Sequence, residues 1–399
     1  MHTLLTNALG ASSGQSWLKM SSLRVDTSIP HGNACDVTLS VEDEIPCVSF
    51  AAHPMGGTES LWFCVRVVAE SQLKGNVRIR LKHCATMLGA GSSQANIRPV
   101  FRTPNIDWCR LPAGTVEGHE DGRVDLSWVV DAPSPWFDLA ACFPYGIPQL
   151  QETLSDTGKA WRTDSIGVSQ AGRPILRLTN DYGTPGGSRP GVYLCARQHA
   201  GETPGSWVLD GLLRRLAEQS ERAPLVWAVP FVDLDGVEEG AYGKDRFPID
   251  VNRAWGTPPM RHEVLVLQND LYHWRRSCQP LLALDLHAPG YCEAAGIYAY
   301  VPSWDQPHYR ELALRWTERF AQSLGAELAA PPFDRVALYA SRWDPSATFA
   351  NFVRRELGVL GLVFETPYAL ARERVLTRED YRMAGARIAD VLIQSQTSQ

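Results

Sequence analysis

A chain of 399 residues is long enough for roughly two ordinary domains and can bury a full enzyme core without outside help. Apolar residues at 44% and charged residues at 21% lie near globular averages, which excludes disordered, collagen-like and fibrous classes. A net charge of −6 offers no basic footprint for a phosphate backbone, so no nucleic-acid partner is expected; the 13 tryptophans do not change that, because stacking platforms also need positive charge around them.

The opening MHTLLTNALGASSG has neither a basic n-region nor a long apolar core, and residues 1–22 read as a loose leader. No stretch approaches the roughly 18 apolar residues of a membrane span, so the expectation is a cytoplasmic protein with no membrane partner. Nine cysteines, odd in number, widely spread and without a Cys-x-x-Cys pair, read as reduced core residues. From 23 to 145 the texture is β: SLWFCVRVVAE (60–70), VRIRLKHC (77–84) and RVDLSWVVD (123–131) are rich in β-branched and aromatic residues, with turn signals at Lys74-Gly75 and Asp121-Gly122. These predict an N-terminal antiparallel β-sandwich domain.

After Pro144-Tyr145-Gly146, short apolar runs alternate with helical stretches. GVYLCAR (191–197), PLVWAVPFV (224–232), LLALDLHA (281–288) and VLGLVFETP (359–367) predict strands buried on both faces. A helix is predicted from the N-cap Thr203 and Pro204 through Val208, Leu212 and Leu216 to Gln219. Residues 146–399 therefore read as an α/β domain whose sites gather at the carboxyl ends of strands.

The chemistry-bearing residues fall at those ends. His199 and Glu202 form a His-x-x-Glu pair after the 191–197 strand, and His287 ends the 281–288 strand. Two imidazoles and a carboxylate are the three-ligand set of a catalytic Zn2+ site, with a fourth position left for water whose pKa the metal would lower toward about 7. Glu365 closes the VLGLVFE strand, where a carboxylate is suited to take a proton from that water and pass it to a leaving amine. The bland alternatives are a polar pair capping the helix for His199 and Glu202, and an ion pair with Arg372 or Arg374 for Glu365. Unpaired charge at the ends of buried strands is costly, which favours the metal reading.

Asn252 and Arg253 follow a proline-bearing loop, and an arginine fork is the preferred grip on a carboxylate. Lys244 and Arg246, just upstream, are candidate donors to an oxyanion. Each of these three cations also has a plain reading as a solvated surface charge.

The motifs ARQHAGETPGSW (196–207), DLDGV (233–237), DVNRAW (250–255), DLHA (285–288) and RELGVLGLVFET (355–366), in this order, resemble the M14 zinc carboxypeptidases and specifically their cytosolic carboxypeptidase branch. WFCVRV (62–67), FPYG (143–146) and GRPILRLT (172–179) are similar to that branch's β-domain and junction. The resemblance implies a mixed β-sheet flanked by helices behind a β-sandwich, zinc held by His199, Glu202 and His287, carboxylate binding by Asn252 and Arg253, and Glu365 as general base. Its implied substrate is a peptide or protein C-terminal tail.

Departures from the family pattern are equally visible. Tyr242-Gly243 stands where relatives carry an aromatic residue followed by an arginine, so the oxyanion role passes to Lys244 or Arg246. Trp343 and Phe349 occupy the neighbourhood of the expected substrate-capping tyrosine, with Tyr339 and Tyr368 as substitutes. DPSATFANF (344–352) has no basic residue to favour an acidic C-terminal side chain. Two rival functions follow: a zinc deacylase or amidase acting on a small N-acyl amino acid, and a non-catalytic zinc- or peptide-binding module, against which an intact Glu365 argues. GASSG (10–14) matches a serine-hydrolase elbow but no strand precedes it. Cys195, inside an apolar strand, reads as core rather than nucleophile. Asp285, on the strand face of His287, is placed to hydrogen-bond within the site.

Overall fold

The computed structural model describes residues 23–69, 75–86, 94–131, 135–244, 246, 248–303, 307–337 and 346–395. The expected leader with its GASSG, and Tyr339 and Trp343, lie outside these residues.

The N-terminal strands are β1 (Leu23–Asp26), β2 (Cys35–Glu42), β3 (Ile45–Ala51), β4 (Cys64–Ala69), β5 (Asn76–Leu81), β6 (Val100–Thr103), β7 (Ile106–Arg110), β8 (Thr115–Gly118), β9 (Val124–Asp131) and β10 (Trp136–Ala140). They form two five-stranded sheets, ordered β1-β4-β10-β6-β7 and β2-β3-β5-β9-β8. The alternation that predicts strands here also sets the packing: Val65 and Val67 of β4 and Val77, Ile79 and Leu81 of β5 are fully buried, with Arg66, Arg78 and Arg80 between them half-buried. The sandwich is as expected, with one departure from antiparallel pairing. β3 and β5 run parallel, because the 52–63 segment and β4 intervene between them and carry the chain to the other sheet and back.

Beyond Gly146 come α1 (Ile147–Asp156), β11 (Arg162–Val168), β12 (Pro174–Thr179), β13 (Pro190–Ala196), α2 (Thr203–Glu218), β14 (Leu225–Val229), α3 (Leu234–Glu239), α4 (His262–Ser277), β15 (Gln279–His287), β16 (Ile297–Tyr300), α5 (Pro307–Leu324), β17 (Ala329–Arg335), α6 (Phe349–Leu357), β18 (Gly361–Glu365) and α7 (Arg378–Gln394). β11 to β18 form one mixed sheet ordered β11-β12-β14-β13-β15-β18-β16-β17, with β14, β13, β15 and β18 parallel at its centre. Period-two burial divides these central strands between two cores. Val192, Leu194, Leu282, Leu284 and Leu286 join the core under α2 and α7, whereas Tyr193, Cys195 and Ala283 join the one under α4 and α6.

Small residues set how closely the helices approach. A Cβ on Gly211 of α2 would come within 2.0 Å of Arg382 O on α7, and one on Gly205, in the first turn of α2, within 2.4 Å of Leu286 O. The second approach brings the start of α2 against the end of β15, where two of the expected ligands lie. No helix among the described residues is long and apolar enough to cross a membrane.

The sandwich is fastened to the sheet domain by direct hydrogen bonds. Asn33 donates to Gly240 O at 2.8 Å, Arg110 Nε to Leu376 O at 2.9 Å, and Asn96 to Cys292 O at 2.9 Å. The buried ring of His31 lies 3.0 Å from Val237 O. All nine cysteines are free thiols.

Candidate metal centre

β13 ends in a turn made by Arg197, whose φ of 63° places a non-glycine residue in the left-handed region. The residue is almost fully buried, and its guanidinium donates to Tyr145 O at 2.8 Å and to Ala200 O at 2.6 Å, so it clamps the loop it initiates. Burial in this apolar corner lowers the Arg197 pKa to about 10. The clamped loop carries His199 and Glu202 into the first turn of α2.

Thr203 is the first helical residue rather than the cap, and Glu202 stands in the capping position without making a capping bond. Its carboxylate is taken elsewhere: Oε1 lies 2.8 Å from His199 Nδ1, and Oε2 lies 2.8 Å from His287 Nδ1 and accepts from Ala288 N at 3.1 Å. One ligand atom from each of His199, Glu202 and His287 falls within 4.8 Å of the others, and all three residues are buried. The two imidazoles turn their Nδ1 atoms toward each other at 3.2 Å. Two nitrogens and one carboxylate oxygen converging in a buried space fit Zn2+, and a His-x-x-Glu pair with a distant His is the metal site typical of zinc carboxypeptidases.

The outward ring nitrogens are held as well. His199 Nε2 lies 3.2 Å from Asp250 Oδ1, and His287 Nε2 lies 2.9 Å from Asp285 Oδ2. Carboxylates behind each imidazole fix ring orientation and leave Nδ1 as the ligating atom. Asp285 itself accepts from Gln198 and from the Cys195 thiol at 3.5 Å, and Gln198 Oε1 accepts from Trp255 Nε1 at 2.7 Å. Cys195 is thus core, as its strand position implies, and burial holds its thiol far above the ordinary range.

Charge is tightly coupled within this cluster. Burial opposes protonation of His199, but the Glu202 and Asp250 carboxylates outweigh it and raise the imidazole to about 9. His287 is likewise raised, with burial overcome by Asp285 and Glu202. Glu202 and Asp250 move the other way, burial being outweighed by His199.

Glu365 ends β18 beside this cluster. β15 and β18 run parallel with His287 directly opposite Glu365, and Tyr298 of β16 flanks Glu365 on its other side. Its Oε2 is enclosed without a hydrogen-bond partner. Burial raises its pKa to about 7, opposed by His287 and reinforced by Glu202. Neither basic residue proposed as an ion-pair partner is engaged with it: Arg374 Nε donates to Asp380 at 3.0 Å, and Arg372 to Ala329 O at 3.4 Å.

A cavity of about 720 Å³ opens onto these residues, and its lining includes His199, Glu202, His287, Glu365, Asn252 and Lys244. Asn252 lies in a single 3-10 turn, its Nδ2 3.4 Å from His287 Nε2. Arg253 is buried beside it with Nη1 donating to Asn252 O at 2.8 Å, outside the cavity lining. Arg246 does not join the group: it donates to Glu239 at 2.8 Å and faces a second, smaller cavity with Asp233 and Asp235. Its guanidinium is thus engaged with Glu239 and is not among the groups lining the cavity that holds the ligand set. Phe349 packs edge-on against Trp255 in the core, and Tyr368 is fully buried, so neither reaches the cavity as a substrate cap. Tyr298 and Tyr300 line it instead, from β16, the strand between β18 and the edge strand β17, which sequence pattern does not single out.

Pattern also misses Asp250, although it lies inside the DVNRAW motif, as well as Gln198 and Arg197 inside ARQHAGETPGSW. A carboxylate two residues before Asn252 was the available signal. DPSATFANF itself has no basic residue, yet Arg354 and Arg355 follow in the same helix and line the cavity.

No protein-family model matches the chain. Among curated proteins it is 27% identical over 204 residues to cytosolic carboxypeptidase 6 of Caenorhabditis elegans, spanning 45% of this chain and 44% of that protein. The human cytosolic carboxypeptidase 6 is 26% identical over 213 residues, spanning 47% and 42% respectively. The match therefore spans less than half of the length of these relatives. A solved metallo-carboxypeptidase from Burkholderia cenocepacia aligns with a TM-score of 0.75 at 18% identity, over 95% of this chain and 100% of that one. One from Pseudomonas aeruginosa, in complex with (2-guanidinoethylmercapto)succinic acid, aligns with a TM-score of 0.70 at 16% identity, over 94% and 99%. The chain is thus similar in sequence to the cytosolic carboxypeptidases over about half of its length, shares its fold with the bacterial metallo-carboxypeptidases, and carries a His-Glu-His ligand set.

Proposed function

We propose that this protein is a zinc-dependent metallocarboxypeptidase, acting in the cytoplasm on the C-terminal peptide or isopeptide bond of a peptide or protein tail. The observation that carries the reading is the register match of His287 with Glu365, which sets a carboxylate with an unbonded oxygen beside a His-Glu-His ligand set on one cavity. Nine free thiols and the cytosolic names of the relatives support the compartment.

His199, Glu202 and His287 would hold the zinc ion, which when bound would supply Lewis-acid chemistry for the scissile carbonyl and for water. Glu365 takes the proton of the attacking water and delivers it to the amine nitrogen as the C–N bond breaks. Asp250 and Asp285 keep the imidazoles oriented, and Lys244, on the cavity wall, meets the negative charge that develops on the carbonyl oxygen. Asn252 and Arg253 grip the substrate's terminal carboxylate, Arg253 by turning its guanidinium away from Asn252 O.

The test is a screen of C-terminal dipeptides, end-blocked peptides and N-acyl amino acids, with and without a zinc chelator. Release of one residue from unblocked peptides, lost on chelation, supports the proposal. Turnover confined to N-acyl amino acids replaces it with a deacylase, and chelator-insensitive turnover removes the zinc mechanism altogether.

A further inference from the structure

Lys244 belongs to the sheet domain by sequence, but it forms an ion pair with a residue of the sandwich. Its Nζ lies 3.7 Å from Oε2 of Glu59, in the segment between β3 and β4, and the two side chains are only 21% and 18% exposed. The approach is built rather than incidental. A Cβ on Gly57 would come within 2.9 Å of Lys244 O, so the sandwich segment lies directly on the backbone of the Lys244 loop. Nearby, Asn33 bridges the two parts, donating to His53 O at 3.1 Å and to Gly240 O at 2.8 Å while accepting from His53 N at 2.8 Å. Trp62 completes the contact, since its Cβ faces Gly201 so closely that a side chain there would clash at 2.9 Å. Gly201 N donates to Tyr242 O at 2.8 Å, tying the ligand-bearing loop to the one that carries Lys244.

We infer that Glu59 is a positioning residue that holds the Lys244 ammonium on the cavity wall, so that the site is assembled from both the sandwich and the sheet domain. An ammonium on four flexible carbons, unlike a planar guanidinium fork, does not fix its own direction, and a cation meant to meet a developing oxyanion must already be in place. Glu59 supplies the fixed charge that sets that direction. Glu59 is not among the residues that line the cavity, so its effect on the reaction runs through Lys244, which is. The catalytic consequence rests on the carboxypeptidase reading above; the pairing itself does not.

The test is a double-mutant cycle on the full-length zinc-loaded protein, combining Glu59→Gln with Lys244→Met, alongside reductive methylation of the lysines read by mass spectrometry with exposed Lys159 as internal standard. Glu59→Gln is expected to lower kcat about tenfold with KM changed less than about twofold and zinc content unchanged, because a loosened group loses alignment rather than binding. It is also expected to raise Lys244 labelling several-fold relative to Lys159. In the Lys244→Met background the same substitution should have no further effect on kcat, and Glu59→Asp, which keeps the charge, should recover part of the loss. Equal effects of Glu59→Gln in both backgrounds, or Lys244 labelling that does not change, overturn the inference. A wild-type protein that hydrolyses no substrate removes the carboxypeptidase reading, while the labelling still decides whether Glu59 holds Lys244.

Discussion

His287 and Glu365 face each other across the parallel pair β15 and β18, as the last residues of both strands. Strand register alone therefore sets a metal-ligand candidate beside the candidate base. Because the base is rigidly placed and its Oε2 is unbonded, its removal should be felt in turnover rather than in folding. Glu365→Gln keeps the shape and removes the proton acceptor. We expect kcat to fall by about 10²- to 10⁴-fold with zinc content and melting temperature unchanged, as measured by steady-state kinetics, metal analysis and calorimetry.

The carboxylates behind the imidazoles make a separate prediction. Asp250→Ala or Asp285→Ala should weaken zinc binding about 10- to 100-fold in a chelator competition, through loss of ring orientation. His199→Ala should weaken it further, since a ligand itself is lost.

Protonation of the metal-free site gives that binding a pH dependence. His199 is held near 9, burial being outweighed by Glu202 and Asp250, so in the metal-free protein the ring carries a proton below that value. Zinc needs the neutral ring. Affinity should therefore rise with pH up to about 9, and calorimetry at pH 7 in buffers of different ionisation enthalpy should detect protons released on binding. Binding that is flat with pH from 6 to 9 would contradict the coupling between Glu202 and the imidazoles.

Acid should loosen the domain junction through His31. Its ring is buried against Val237 O, and burial lowers it from 6.5 to about 4. Between those values the unfolded chain binds a proton that the folded protein does not, so stability falls as pH drops from 6.5 toward 4 and levels off below. A shift of this size corresponds to roughly 3 kcal/mol. Urea unfolding at pH 7 and pH 4 measures the loss, and His31→Gln should remove its contribution to the slope.

The approach of α2 to β15 predicts a sensitive glycine. Gly205→Ala inserts a methyl 2.4 Å from Leu286 O, a backbone atom between two buried strands that has no room to move. A loss of about 2 kcal/mol or more of stability is expected, with weaker zinc binding because Glu202 and His287 are pushed apart. Denaturant unfolding and zinc titration of this variant check both effects.

The sequence makes the central strands and their terminal residues legible because buried parallel strands are short apolar runs and functional groups must sit where those runs end. That logic reaches His199, Glu202, His287 and Glu365. It does not reach Asp250, whose role depends on a 3-10 turn folding back against His199, or Glu59, which approaches Lys244 from more than 180 residues away. Arg246 shows the converse: adjacent in sequence to the site, it is engaged with Glu239 in space. The parallel pairing of β3 with β5 is equally a matter of chain crossing between sheets, which local alternation does not encode.

The most direct measurement is mass spectrometry of two otherwise identical peptides incubated with the zinc-loaded protein, one with a free C-terminal carboxylate and one with a C-terminal amide. The account predicts loss of a single C-terminal residue from the free acid, a rate at least about tenfold lower on the amide because the grip of Arg253 is lost, and no cleavage of either after chelation. Equal cleavage of acid and amide, or cleavage that survives zinc removal, would contradict it.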